Sequence, residues 1–370
     1  MRKSKHGEST VGKVVGLVHV LHKRTSVHVV FSQVHSIIPH VKYRFVYNVR
    51  YIFLKLILNR KANVMTRTTS AKDMKIGIVL DTVEGSLQGK TPSFLELQEM
   101  AQAAERAGLD SIWLSDHLIY RRPGQEEVGF WEIFTLLSAL AAVTTRITLG
   151  TIVVCTSFRP PALVAKMADT IDEISGGRLI LGLGAGWHQP EYEAFGYPFD
   201  HLAGRFEEAM QVIAPLLREG QVDFDGQYYQ VHNCVLRPRG PSRNGPPILI
   251  AGRRPRMLQL TARYADAWNT AWHMEPTVVK ERYEEFKEAC VVVGRDSTNV
   301  ELTVGTHVKL LSPGEHADAT KAISGSAEEI ALRLQSFAEV GVSHLIATLE
   351  PLGVESIEQF GRIVELSHQE

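Results

Sequence analysis

Cysteine is scarce in this chain of 370 residues: there are three, Cys155, Cys234 and Cys290. They are scattered without metal-ligand spacing. A disulfide framework and a zinc site are therefore not expected, and a reducing, cytoplasmic compartment is. Long apolar runs are missing too. The most lipid-like piece, Tyr51 to Leu58, is short and carries Lys55, whereas a membrane-spanning helix needs about 18 or more apolar residues. Acidic side chains are nearly absent from the first 73 positions, which hold 14 Lys and Arg against Glu8 and Asp73 alone. Residues 74–370 are the reverse, with 26 basic and 39 acidic side chains, a formal −13. That acidity argues against nucleic acid as a partner of this larger part. No Gly/Pro/Ser-rich linker divides 74–370, so it is read as one domain.

Residues 1–73 hold six of the 15 histidines and no clean helical or strand period. Three readings compete: a basic arm for nucleic acid or membrane, an organelle-type targeting peptide, or a stretch outside the native protein, whose start is then Met65 or Met74. The third is the expectation, with the segment poorly ordered and irrelevant to catalysis.

The most informative stretch runs from the Gly176-Gly177 turn through Leu179–Leu181 into Gly182, Gly184 and Gly186. Glycines at a strand end mark a place where backbone comes close to something, or where small residues pack. Other strands end in residues with chemistry. Ser111–Leu114 leads into Ser115-Asp116-His117, Ile147–Thr156 into Ser157-Phe158-Arg159, and Ile248–Ala251 into Gly252-Arg253. Apolar runs at 75–81, 267–270, 300–311 and 343–349 complete eight strands, with amphipathic helical patterns between them. Active residues gathered at the C-terminal ends of several strands are the layout of a (β/α)8 TIM barrel. The connection between the fourth and fifth strands, 189–246, is elaborated. It reads as a polar and aromatic loop over 189–201, a helix from about 205 to 218, and a hairpin signal at Asp225-Gly226.

From the residues alone, His117 beside Asp116 is suited to hydrogen-bond a cofactor ring or pass a proton near neutral pH, or else to brace the backbone. Ala251-Gly252-Arg253 leads into a helix N-terminus, where free N–H groups and Arg253 or Arg254 suit an anion; the alternative is a plain cap with solvated arginines.

Three pieces occur in order: the Ser-Asp-His strand end, LGTIVV through FRPPALVAKMADTIDEISGGRLILGLGAGW, and PILIAGRRPRMLQLTARYADAWN. Together they resemble the luciferase-like family of flavin and deazaflavin oxidoreductases, and within it the branch that uses coenzyme F-420. The resemblance covers about 74–370. It implies hydride transfer between F-420 and a small organic substrate, with His117 as catalytic residue. Asp116 would orient His117, meet the cofactor's polyol tail, or cap the turn. Ile152-Val153 would carry a non-prolyl cis peptide backing the ring. Gly184 and Gly186 would admit the cofactor to the backbone, and Ala251, Gly252 and Arg253 would hold its phosphate. Family members acting on sugar phosphates or methanogenic alcohols carry a Glu directly after the glycine strand. Here that position is Trp187, so those activities are not carried over. Trp187, His188 and Glu191 are expected to line the substrate pocket, and Glu191, Glu193, His188 and Asp81 are candidate replacements for the missing proton donor. An FMN-dependent monooxygenase is the alternative, and a non-catalytic flavin-binding homologue the second. A homodimer is expected by analogy.

Overall fold

The computed structural model describes residues 73–368 except 313, 316 and 317. The expectations about residues 1–72 lie outside the described residues.

The strands are β1 (Lys75–Val79), β2 (Ser111–Leu114), β5 (Thr148–Thr151), β7 (Leu179–Gly184), β10 (Ile248–Ala251), β11 (Ala267–Thr270), β12 (Glu301–Lys309) and β13 (His344–Glu350). All pair in parallel in that order, and β10 pairs with β7 as well as β11, so each strand has two neighbours and the barrel closes. Apart from β7 and β10, every chain-successive pair of barrel strands is joined, among the described residues, through a single crossover α-helix. These helices are α1 (Phe94–Arg106), α2 (Ile133–Val143), α3 (Pro161–Ser175), α6 (Pro255–Tyr264), α7 (Pro276–Val293) and α8 (Ala327–Glu339), and α9 (Val354–Ser367) follows β13. Strands covered on both faces read as near-continuous apolar runs, as β1 and β2 do.

Local chemistry places the helix ends. Ser93 and Glu96 form a reciprocal capping box on α1, and Ser326 and Glu329 do the same on α8. Pro161 opens α3, and Gly176 ends it in the left-handed conformation. The main core lies between barrel and helices. A second apolar cluster, Val79, Trp113, Leu249, Ala267 and Ile346, joins residues of five strands, and Ile152, Val153 and Ile180 pack on it.

Two readings of the sequence are corrected. The third strand is not continuous from Ile147 to Thr156. It breaks after Thr151 and resumes as β6 (Val154–Cys155), with the Ile152–Val153 peptide cis between them. The stretch 189–201 is not all loop, because Gln189–Phe195 is a helix, α4, with Pro190 in its first turn and Gly196 closing it in the left-handed region. The connection then runs through α5 (Leu202–Glu219) and the antiparallel hairpin β8 (Gln221–Asp225) and β9 (Gln230–Val235). A short ribbon, β3 (Ile119–Tyr120) with β4 (Val128–Gly129), follows β2 at the same end of the barrel. Among the described residues no helix is long and apolar enough to cross a membrane.

Candidate active site

The end of β2 carries Asp116 and His117 in different directions. Asp116 is buried, and its carboxylate is fully engaged. Arg159 donates to both oxygens, at 2.7 and 3.0 Å, and the Cys155 amide donates at 2.9 Å. Arg159 also reaches Glu132 at 2.7 Å. Burial works against the Arg159 charge, but its bonds to Asp116 and then Glu132 outweigh this and raise its pKa. Asp116 thus ties β2 to β6 and to the start of α3; none of these bonds is to His117.

Glu191 is the carboxylate that holds His117. Helix α4 brings it in, 2 % exposed, with Oε1 at 3.0 Å from His117 Nδ1 and Oε2 accepting the Leu118 amide at 3.0 Å. The other ring nitrogen, Nε2, lies 2.9 Å from the Tyr120 hydroxyl. His188 is pinned to the same segment, its Nε2 accepting the Arg121 amide at 3.2 Å. Burial lowers its pKa, which suits an acceptor nitrogen. Trp187 is 60 % exposed, and its ring lies 5.9 Å from His117 and 6.0 Å from Tyr120. Phe130 packs edge-on against Tyr120 at 4.8 Å. Trp187, His188, Glu191 and His117 therefore form one cluster, with an aromatic wall facing outward. Asp81, at the end of β1, has its pKa raised by burial, and the His117 charge opposes the rise.

The glycines of β7 make room for protein first. A Cβ on Gly184 would lie 2.7 Å from the Val153 side chain, and one on Gly186 1.8 Å from the Tyr192 hydroxyl. Gly186 also sits at φ +79°, a region costly for other residues. The strand thus accommodates the Ile152–Val153 bulge, whose two residues stay half-buried. The pairings Val154 with Leu183 and Leu183 with Ile250 set the bulge, the end of β7 and the end of β10 side by side. Beyond Ala251, the Gly252 carbonyl accepts from the Trp268 ring at 2.9 Å. Helix α6 begins with no capping side chain, and Arg253 and Arg254 are exposed and form no ion pair among the described residues.

Several residues escaped sequence reasoning. Tyr120 stands three positions past His117, and reading beyond the strand end would have found it. Arg159 was seen only as a neighbour of the following helix. Across the barrel mouth, Trp272 stacks on His307 at 4.8 Å, and His307 Nδ1 lies 2.6 Å from the Thr348 hydroxyl. A cavity of about 360 Å³ on that side is lined by His307, Lys309, Lys321, Thr348 and Glu350. A second, of about 310 Å³, opens at the opposite end among Lys75, Trp113 and His344. Neither touches His117. In barrels of this type the chemistry sits at the C-terminal strand ends, which leaves the second cavity on the structural face.

A closed eight-stranded barrel with titratable groups converging on its C-terminal rim places the chain among the (β/α)8 barrel proteins. Residues 74–321 match the sequence profile of the luciferase-like monooxygenases, a span that includes His117, Glu191 and Gly252, and the chain belongs to that family. Curated relatives include the pyrimidine monooxygenase RutA of Methylorubrum extorquens strain AM1, 38 % identical over 221 residues, covering 55 % of this chain and 58 % of that protein. RutA of Variovorax paradoxus strain S110 is 40 % identical over 184 residues, 47 % of this chain and 48 % of its own length. The chain thus spans about half the length of the curated relatives it matches. Among solved structures, an F-420-dependent secondary alcohol dehydrogenase bound to an F-420–acetone adduct has a TM-score of 0.67 at 19 % identity, covering 80 % of this chain and 99 % of its own. The monooxygenase RslO1 of Streptomyces bottropensis has a TM-score of 0.66 at 22 % identity, covering 80 % and 98 %. These likenesses concern the fold.

Proposed function

We propose that this chain is an FMN-dependent monooxygenase acting on a small planar substrate, with the rim around His117, Tyr120 and Trp187 as its reaction site. The observation that carries the reading is the exposed Trp187 ring beside a His117 whose partner Glu191 is fully engaged. At the position directly after the glycine strand, the family resemblance implies a proton-transferring Glu in members acting on sugar phosphates or methanogenic alcohols. This chain has an exposed Trp there, and the buried carboxylate of Glu191 is committed to His117 and the Leu118 amide. A carboxylate so engaged does not itself face a substrate; it acts only through His117. The sequence likeness to proteins named pyrimidine monooxygenase points the same way and makes a pyrimidine the first substrate class to test.

The residues fit a flavin mononucleotide. Ile152 and Val153 offer a half-buried apolar wall for a ring, and the neighbouring strand end offers uncapped amides of α6 with Arg253 and Arg254 for a phosphate. Bound reduced flavin supplies the electrons and the oxygen-activating ring. The chain's own groups supply position and proton handling. His117 is held at the rim by Glu191, and the aromatic wall of Trp187, Tyr120 and Phe130 covers a planar substrate and excludes water.

F-420-dependent hydride transfer is the second reading, favoured by the Ser115-Asp116-His117 strand end. The deciding experiment supplies reduced FMN, uracil and ¹⁸O₂. One ¹⁸O in the product supports the monooxygenase. Oxidation of reduced F-420 by a small organic acceptor, with no oxygen incorporated, would establish the second reading instead. Cofactor binding without turnover of either kind would leave a non-catalytic flavin-binding homologue.

A further inference from the structure

Building on the proposed reaction site, we propose that Tyr120 is the group that exchanges a proton with the reacting molecule, and that His117 and Glu191 stand behind it as a relay. Both ring nitrogens of His117 are already engaged. Glu191 Oε1 is 3.0 Å from Nδ1, and the Tyr120 hydroxyl is 2.9 Å from Nε2. A carboxylate only accepts, so Nδ1 carries hydrogen. Glu191 is itself fixed, 2 % exposed, with its second oxygen on the Leu118 amide. The imidazole is therefore held in one tautomer, its Nε2 directed at Tyr120. For His117 to touch a substrate directly, the Tyr120 bond would first have to break.

Burial pushes the Tyr120 pKa up to about 12, against the pull of Arg122, so the hydroxyl keeps its proton at neutral pH. Tyr120 lies in the β3–β4 ribbon, half-buried, beside the exposed Trp187 ring and beneath the Arg122 guanidinium at 4.8 Å. The relay balances without an added reactant. In proton delivery, the Tyr120 O–H bond breaks as its proton forms a bond to the substrate acceptor, and the Nε2–H bond of a protonated His117 breaks as that proton moves to the tyrosine oxygen. Proton removal runs the same two bonds in reverse. Tyr120 stays a neutral hydroxyl before and after, and the charge change falls on His117, where Glu191 compensates it.

The test uses the full chain in two independent arms. In the first, cofactor-free protein with ¹⁵N-labelled histidine is examined by long-range ¹H–¹⁵N correlation. His117 is expected to show a protonated Nδ1 and an unprotonated Nε2, and Tyr120→Phe should move the Nε2 resonance through loss of its hydrogen-bond donor. Glu191→Gln offers one acceptor oxygen to two donors, Nδ1–H and the Leu118 amide, and should mix the tautomers. The opposite tautomer, or an Nε2 signal indifferent to Tyr120→Phe, would overturn the relay. In the second arm, whichever cofactor supports turnover is used. Tyr120→Phe should lower kcat about 100-fold with KM within about twofold, the range of general acid–base loss. An unchanged kcat would sink Tyr120 as the exchanging group. If wild-type protein turns over neither cofactor, the site reading fails, while the spectroscopic arm still judges the relay by itself.

Discussion

Replacing Arg159 by methionine removes the one cation paired with Asp116 among the described residues. The Asp116 side chain is 1 % exposed and that of Arg159 10 %. The substitution keeps much of the side-chain volume and deletes two charge-assisted hydrogen bonds, of 2.7 and 3.0 Å. Asp116 would keep only the Cys155 amide at 2.9 Å. Breaking a buried pair by removing one partner costs about 3–5 kcal/mol, mostly because the remaining charge is desolvated without compensation. Glu132 is 38 % exposed at its side chain and adds less, since solvent screens it. The expected loss for Arg159→Met is therefore about 3–5 kcal/mol in urea denaturation. The double variant Asp116→Asn with Arg159→Met should recover at least half of it, because no buried charge is then stranded. A single-variant loss below about 1 kcal/mol, or a double variant as unstable as the single, would refute the assignment of Asp116 as a structural tie.

Other outcomes follow from burial and backbone. Gly186→Ala should destabilise by about 1–3 kcal/mol, since it forces a side chain into φ +79° and against the Tyr192 hydroxyl; an unaltered melting curve would contradict the packing. Burial pushes the Cys155 thiol up to about 12, so iodoacetamide at pH 8 should spare it in the folded chain and label it only on denaturation; peptide mapping reads this directly. His344 Nε2 lies 2.7 Å from the Ser111 hydroxyl and the ring is held neutral by burial, its pKa lowered to about 3. Between that value and the ordinary value of 6.5 the unfolded chain binds a proton that the folded chain does not, so stability falls as pH drops through this window. His344→Asn should flatten the fall, and an unchanged slope from pH 6.5 to 4 would assign it to other groups.

The barrel was legible because each strand is a short apolar run and each helix starts and stops on local chemistry. Ser93 and Glu96 lie three residues apart, and Gly176 directly follows its helix. The site was legible only in part, because its hydrogen bonds join distant positions. His117 and Asp116 are adjacent in sequence, yet their partners are Glu191 and Arg159, 74 and 43 residues away. Which carboxylate meets the histidine depends on where α4 swings Glu191, and α4 itself was hidden in a stretch whose proline and aromatics read as loop. The alternate glycines Gly182, Gly184 and Gly186 left two readings open, backbone close to a ligand or small residues that pack. The structure shows the packing at Gly184 and Gly186, against Val153 and Tyr192, contacts that depend on the break between β5 and β6 and on α4.

The most direct test of an FMN site at this rim is a titration of the full chain with FMN, F-420 and riboflavin, followed by cofactor fluorescence, for wild type and an Arg253→Gln, Arg254→Gln double variant. FMN should bind wild type at least about tenfold more tightly than F-420, a difference of about 1.4 kcal/mol, and the double variant should weaken FMN while leaving riboflavin unchanged. Tighter binding of F-420, or equal losses for FMN and riboflavin, would contradict the cofactor assignment and the phosphate site respectively.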